Sequence, residues 1–165
     1  MGYATHFRMA RHIMCPTLFM NFYKGRLGEI VGTYILKNSG IDVKPIEDNA
    51  YYETFDAMIG DGQSLIDFKN WKLITGMCFV NRSQLYNKVQ EKLERIRSID
   101  PTKGKRAYII RVCQTSDDDE LLAQDPLPDT EEAIGQDIIT VLDLVNNDGV
   151  NVKAIELIRK LEKNK

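Results

Sequence analysis

The sequence has few of the residues that mark secreted proteins, metal clusters or membrane spans. Cys15, Cys78 and Cys113 are isolated in 165 residues and lack the spacing of a metal site. This odd set of thiols predicts reduced cysteines and a cytoplasmic protein. We find no apolar run long enough to span a membrane, and we expect neither a secretory signal nor a membrane partner.

Histidine and tryptophan are also scarce. The two histidines, His6 and His12, lie six residues apart, and we assign neither a catalytic nor a metal-binding role. The one tryptophan, Trp71, is expected to pack at the end of a strand rather than stack on a base. With 43% hydrophobic residues, the chain has the composition of one compact domain, with room for a C-terminal extension.

The net charge of −2 is unevenly distributed. Residues 1–116 contain 17 basic and 11 acidic side chains, which gives +6, whereas residues 117–165 contain 5 and 13, which gives −8. A basic first part suits contact with phosphate groups. We therefore predict a core over 1–116. Residues 117–165 are predicted to form an acidic loop and a helical extension that packs on the same domain.

Hydrophobic periodicity predicts an α/β fold with the order α-β-β-β-α-β. The expected elements are a helix over about 17–37, a strand over 41–46, a hairpin over 52–71, a helix over about 83–99 and a strand over 106–113. Further on, Ile138 to Val145 fits a helix, although a strand is also compatible with it. Val152 to Leu161 suits a final amphipathic helix, so the predicted extension is α-rich.

On a helical wheel, the first helix places three glycines around one acidic residue. Gly25, Gly28 and Gly32 surround Glu29, so the backbone could approach another element there and leave the carboxylate in a confined space. An apolar stripe, Leu27 to Ile35, lies on the opposite side. We expect this helix to be covered on both sides, and the alternative is that Glu29 is simply solvated.

The hairpin sets two carboxylates against each other. With Asp61 and Gly62 as the turn, opposed positions sum to 123, so Asp56 faces Asp67. Directly opposed like charges destabilise a sheet. A divalent cation held by both carboxylates would relieve that repulsion. Lys69 shares the face of Asp67, where its ammonium could orient a water or stabilise phosphate charge. The alternative is a solvated hairpin of mixed charge.

At these residues the chain resembles the PD-(D/E)XK superfamily of restriction-endonuclease-like nucleases, near its RecB-type or Holliday-junction-resolvase-like members. Asp56 matches the first acidic residue, and Asp67-Phe68-Lys69 matches the D/E-x-K element. Glu29 matches the acidic motif of the first helix, and Gln84-Leu85-Tyr86 resembles the glutamine motif. Phe55 stands where the family name has proline, and Tyr86 follows the glutamine more closely than is usual in RecB-type members.

The resemblance implies a restriction-endonuclease-like αβββαβ core, with a mixed central sheet flanked by helices. It also implies a nuclease that depends on Mg²⁺ or Mn²⁺ and hydrolyses phosphodiester bonds, of DNA more than of RNA. It implies that Asp56, Asp67 and Glu29 hold the metal, that Lys69 acts on the nucleophile, and that Gln84 supports the site. The basic residues near the motifs are candidates for phosphate contact: Lys24, Arg26, Lys72, Arg82 and Lys88. Paired cuts in duplex DNA would require two active sites, which a homodimer could supply. The alternative is a non-catalytic module that binds nucleic acid or protein, such as an accessory domain of a helicase or defence protein within a larger complex.

Overall fold

The computed structural model describes residues 16–46, 55–69, 82–112, 130–134, 137–146 and 149–163. Within these ranges the chain forms three helices and eight strands. Their order is α1 (Pro16–Asn38), β1 (Val43–Pro45), β2 (Ala57–Ile59), β3 (Ser64–Lys69), α2 (Arg82–Ile99), β4 (Arg106–Arg111), β5 (Thr130–Ile134), β6 (Asp137–Asp143), β7 (Val145–Asn146), β8 (Gly149–Val150) and α3 (Val152–Lys163).

Six of the strands form one mixed sheet in the order β1-β2-β3-β4-β6-β5. Strands β1, β2 and β3 pair antiparallel, whereas β3, β4 and β6 run parallel in the interior. Strand β5 returns antiparallel along the edge of β6. The carboxyl ends of the three parallel strands therefore meet at one edge of the sheet, which is where open α/β sheets bind their ligands.

Helices cover both faces of this sheet. On one face, Val89, Leu93 and Ile96 of α2 pack with Ile109 and Val141 of the sheet. On the other face, α1 and α3 pack over a larger apolar cluster, which includes Leu36, Ile66, Phe68, Tyr108, Ile110, Leu142, Ile155 and Ile158. The predicted α/β class is confirmed, and the helices and strands from α1 to β4 follow the predicted order.

The C-terminal third differs from the prediction. The segment Ile138 to Val145, for which a helix was preferred, contains strand β6, and the α-rich description of the extension is wrong there. Ile138, Ile139, Thr140 and Val141 are consecutive β-branched residues, which favour a strand. Strand β6 also completes the interior of the sheet by pairing with β4. The last helix, α3, lies where it was predicted.

Helix α1 approaches the sheet through its glycines. Gly25, Gly28 and Gly32 are all buried, and a Cβ placed on Gly32 would lie 2.7 Å from Cδ1 of Phe68. Only glycine lets the two elements come this close. The predicted close approach of the backbone beside Glu29 is therefore confirmed, and the side chain of Glu29 is only 13% exposed.

The outer side of α1 differs from the expected arrangement. Its apolar stripe was expected to be covered, yet Leu27, Ile30, Val31 and Tyr34 are exposed. The reason is that the glycine face takes the position against the sheet, which turns the large side chains outward. Among the described residues, no helix has the length and apolar character that a membrane span requires.

Helix α3 is fixed to the sheet by hydrogen bonds as well as by apolar contacts. The carboxylate of Glu162 accepts one from Ser64 Oγ and another from the Tyr108 hydroxyl, each at 2.7 Å. At the other end of the helix, Asn151 Oδ1 accepts from the amide of Ala154, as helix caps do. Strands β3 and β4 thus share one buried polar contact with the C-terminal helix.

Candidate active site

The hairpin that carries the candidate carboxylates has the predicted register. Ala57 pairs with Ile66, Met58 with Leu65 and Ile59 with Ser64, so opposed positions sum to 123. The connection is longer than the predicted two residues, because Gly60 to Gln63 all lie in the turn. Gly60 and Gly62 both have positive φ, of 61° and 92°.

Asp56 lies one residue beyond the last pair of this ladder. Its amide donates to the carbonyl of Ile66 at 2.9 Å, and its Oδ2 accepts from the amide of Phe68 at 2.7 Å. The Asp56 carboxylate thus takes the place of a backbone carbonyl as the acceptor for an amide of β3. Asp56 and Asp67 are consequently not partners in the regular ladder, although the register that was used to predict their proximity is correct.

Asp67 is the most enclosed acid of the site. It is 5% exposed, and both of its oxygens accept hydrogen bonds from lysines. Lys69 Nζ lies 2.5 Å from Oδ1, and Lys92 Nζ lies 2.9 Å from Oδ2. Lys92 comes from α2 and also lies 5.4 Å from the centre of the Phe55 ring. Such charge-assisted contacts are stronger than neutral hydrogen bonds.

The two aspartates differ in proton affinity. Burial, followed by the charges of Asp67 and Glu29, raises the pKa of Asp56 to about 7, although Lys69 and the Phe68 amide oppose the rise. Burial also acts to raise the pKa of Asp67, but Lys69 and Lys92 outweigh it and lower that pKa to about 2. The site therefore combines one firmly ionised carboxylate, Asp67, with one, Asp56, that holds its proton to a much higher pH than an ordinary aspartate.

Lys69 remains charged in this setting. Burial acts to lower its pKa, but Asp67, Asp56 and Glu29 outweigh it, so the net shift is upward. Glu29 therefore lies near enough to influence both Asp56 and Lys69. It also forms an ion pair of 2.5 Å with Arg26 on the same helix. Within the described residues, α1, the residue before β2, strand β3 and α2 each supply a charged group to this cluster.

A further ion pair continues the site along the edge of the sheet. Lys69 is in register with Arg111 of β4, and Arg111 with Asp143 of β6. Residues in register share a face, so the three side chains form a row at the carboxyl ends of the parallel strands. Arg111 is 4% exposed and binds Asp143 through two hydrogen bonds of 2.6 Å. This pair offsets the positive charge that Arg111 would otherwise place beside Lys69.

The donor set fits a divalent cation in its chemistry. Mg²⁺ is commonly held by one or two carboxylates, with waters and substrate phosphate in the other positions. Asp56 and Asp67 could supply these carboxylates, because a carboxylate oxygen can accept from more than one partner. Among the described residues, however, no three His, Cys, Asp or Glu side chains form a ready metal-binding group.

Comparison with known proteins gives no relative. No family model, no curated protein and no solved structure matches this chain. The membership of a nuclease superfamily therefore stays a prediction, carried by the motif residues and their positions.

The remaining predicted site residues are the glutamine of the motif on α2 and the basic residues that are candidates for phosphate contact. Gln84 and Arg82 lie in the first turn of α2, but their side chains are outside the described residues, as is the whole of Lys72. Lys24, Arg26 and Lys88 are exposed, which is compatible with phosphate contact.

Lys92 is the site residue that the sequence analysis missed. It lies between Val89 and Ile96, which are both buried, on a helix with several other charged residues. A lysine next to a buried stripe usually lays its stem along the apolar surface and keeps its charge in water. The available signal was its position one turn beyond Lys88 and beside Leu93, on the side of α2 that turns toward the sheet.

Proposed function

We propose that the protein is a nuclease that requires Mg²⁺ or Mn²⁺ and hydrolyses phosphodiester bonds, in DNA more than RNA. The observation that carries the proposal is the convergence of Asp56, Asp67 and Lys69 at the carboxyl end of β3, on elements whose order is the one the resemblance implies. Glu29 of α1 supports it, because its charge reaches Asp56 and Lys69. The preference for DNA rests on the resemblance alone.

In this proposal Asp56 and Asp67 hold the cation, and Glu29 assists. A bound Mg²⁺ or Mn²⁺ supplies Lewis acidity toward the phosphate and lowers the pKa of a water molecule. Lys69 and Lys92 keep Asp67 ionised before the cation arrives. Asp56 would have to be ionised to hold the cation, since a carboxylate ligand must be deprotonated.

The two lysines have further roles toward the substrate. An ammonium group has three N–H donors, and Lys92 is partly exposed, with 30% of its side chain accessible. It can therefore donate to a phosphate oxygen as well as to Asp67. Lys69 is more enclosed, at 18%, and it orients the attacking water beside Asp67. Neutralisation of the developing phosphate charge is the main catalytic contribution expected of such groups.

The proposal is tested by cleavage of circular single-stranded DNA and supercoiled duplex DNA in Mg²⁺, Mn²⁺ or EDTA. The variants are Asp67→Asn and Lys69→Met, which retain side-chain volume, and Asp61→Asn is the matched control in the exposed turn of the same hairpin. We expect metal-dependent cutting by the wild type and by Asp61→Asn, and its loss in the two site variants. Undiminished cutting by a folded Asp67→Asn protein would remove the proposal.

One observation favours the alternative, a module that binds nucleic acid or protein without cutting it. Both oxygens of Asp67 are already engaged by ammonium groups, so the charge of this carboxylate is neutralised without a metal. The alternative predicts a mobility shift of DNA or RNA in EDTA that Asp67→Asn does not weaken. Binding of that kind, without cleavage of circular or linear DNA or of RNA in either metal, would decide for the module.

A further inference from the structure

The outer face of α1 carries large apolar side chains that no described residue covers. Tyr34 is 66% exposed, Ile30 55% and Tyr23 52%, with Leu27 at 42% and Val31 at 36%. We call these five residues the α1 stripe. The stripe contains no charged residue. Single exposed apolar residues are ordinary on a protein surface, but a contiguous set along three turns of one helix marks an interaction site.

The orientation of α1 explains why the stripe stays outside. Gly32 lies against the ring of Phe68, and Gly25 and Gly28 are also buried, so the glycine face is the one that fits the sheet. Rotating the helix to bury the stripe would replace these glycines by large side chains at a position with no room for a Cβ. The packing of the glycine face therefore fixes the α1 stripe on the side of the helix that points away from the sheet.

The area of the stripe is suitable for an interface between two copies. Taking about 200 Å² for a fully exposed large side chain, the exposed fractions correspond to roughly 500 Å² per chain, at the upper end of patches on monomers. Two such faces would bury about 1,000 Å² in total, which is the lower bound for a specific interface. Flanking polar residues on α1 would add to this area.

The spacing of the stripe suits helix pairing. Tyr23, Leu27, Ile30 and Tyr34 are separated by four, three and four residues, which is the alternation of a two-helix seam. A seam of this kind can pack against its own copy about a two-fold axis, since each position then meets a position of the same set. Tyrosine is also enriched in protein interfaces.

We propose that two copies of this chain associate through the α1 stripe to form a homodimer. The proposal does not depend on nuclease activity. The basic residues beside the stripe, Lys24, Arg26 and Lys37, are also compatible with a helix that lies on an anionic membrane. The tyrosines and the regular seam favour the protein partner, and the membrane is an outcome of the test.

The test compares Ile30→Lys with Ile99→Lys by sedimentation equilibrium of the full chain, from about 1 to 100 μM, the range in which weak homodimers dissociate. Ile99 at the end of α2 is the matched control, because it is an isoleucine exposed to the same degree, 54%. We expect dimers for the wild type and for Ile99→Lys, and a dimer dissociation constant at least about tenfold higher for Ile30→Lys.

A second measurement keeps the proposal falsifiable if Ile30→Lys does not fold. A photo-crosslinking amino acid at Tyr34 should yield a covalent dimer, and the same group at Ile99 should not. A wild-type monomer over the whole concentration range, or equal dimers in both lysine variants, would overturn the proposal. So would co-flotation of a monomer with phosphatidylserine vesicles that Ile30→Lys abolishes, which would assign the stripe to a membrane surface.

Discussion

The ammonium of Lys92 lies 2.9 Å from Oδ2 of Asp67 and ties helix α2 to the carboxyl end of β3. Lys69 binds the other oxygen of the same carboxylate. Asp67 is thus held between a residue two positions away on its own strand and one on the following helix. The arrangement makes the charge state of Asp67 nearly independent of pH in the physiological range, because its pKa is about 2.

Replacing Lys92 by methionine should change metal affinity and stability in opposite directions. Loss of one charge-assisted hydrogen bond should lower the free energy of unfolding without metal by roughly 1–2 kcal/mol. Mn²⁺ should bind more tightly, because Oδ2 of Asp67 no longer has a competing ammonium. Denaturant titration and calorimetric Mn²⁺ titration measure the two effects.

The control for Lys92→Met is Lys88→Met, at an exposed position one turn earlier on α2, which should change neither the free energy of unfolding nor the Mn²⁺ affinity. Unchanged Mn²⁺ affinity in Lys92→Met would show that Lys92 does not compete for the site.

The raised pKa of Asp56 predicts an unusual dependence of stability on pH. The ordinary value is 3.8 and the folded value about 7, so the folded chain holds a proton that the unfolded chain releases. This contribution is complete below pH 3.8 and is lost as the pH rises through 7. In EDTA, the wild type should lose about 2 kcal/mol of stability through this group between pH 5.5 and pH 8.

The comparison variant for this effect is Asp56→Asn, which retains an acceptor for the Phe68 amide and does not titrate. Its stability should lack the loss of about 2 kcal/mol over the same range. Mg²⁺ should stabilise the wild type more at pH 8 than at pH 5.5, because the cation needs the ionised carboxylate. Equal slopes for the wild type and Asp56→Asn would contradict the assignment of the proton to Asp56.

Gly32→Ala should destabilise the protein through a steric conflict with Phe68. The added Cβ would lie 2.7 Å from Cδ1 of that buried ring, and the overpacking should cost about 1–3 kcal/mol, although alanine favours a helix. Chemical denaturation of Gly32→Ala, Phe68→Leu and the double variant forms a thermodynamic cycle. The smaller leucine should relieve the conflict, so the double variant should be more stable than the sum of the single effects predicts. Additive effects would mean that the two residues do not meet.

Breaking the pair of Arg111 and Asp143 should be costly because Arg111 is buried. Asp143→Asn would leave an uncompensated guanidinium beside Lys69, with an expected loss of about 3 kcal/mol. The exposed pair of Asp42 and Lys44, at 3.4 Å, provides the comparison, and Asp42→Asn should cost less than about 1 kcal/mol. Thermal or denaturant unfolding of both variants measures the difference. Similar losses in the two variants would show that burial adds nothing to the pair.

The parts of the fold that follow from the sequence are those in which a local pattern determines the geometry. The Asp61-Gly62 turn signal and the alternation of strands were sufficient for the register of β2 and β3, since a slip by one residue would turn every side chain to the other face. The three glycines around Glu29 likewise identified the close side of α1. Both are relationships between residues near in sequence.

Other parts of the fold are decided by contacts between segments that are distant in sequence. The apolar run in β6 suits a buried strand or a buried helix equally, and only pairing with β4 distinguishes the two. The position of Lys92 beside the buried stripe of α2 indicates that it turns toward the sheet, but its contact with Asp67 depends on where α2 crosses β3. The outward direction of the α1 stripe follows from the room beside Phe68, which is set by another part of the chain.

The position of β6 between β4 and β5 has a consequence for how the chain folds. Strands β3 and β4 are made before β6, the parallel strand that covers the open edge of β4, and residues 112–136 lie between β4 and β6. Parallel pairing between distant segments is slow, because the chain must be closed into a loop before any contact forms. The growing polypeptide should therefore carry an uncovered, apolar strand edge until β6 emerges, and this interval is when it is most exposed to aggregation and most dependent on chaperones.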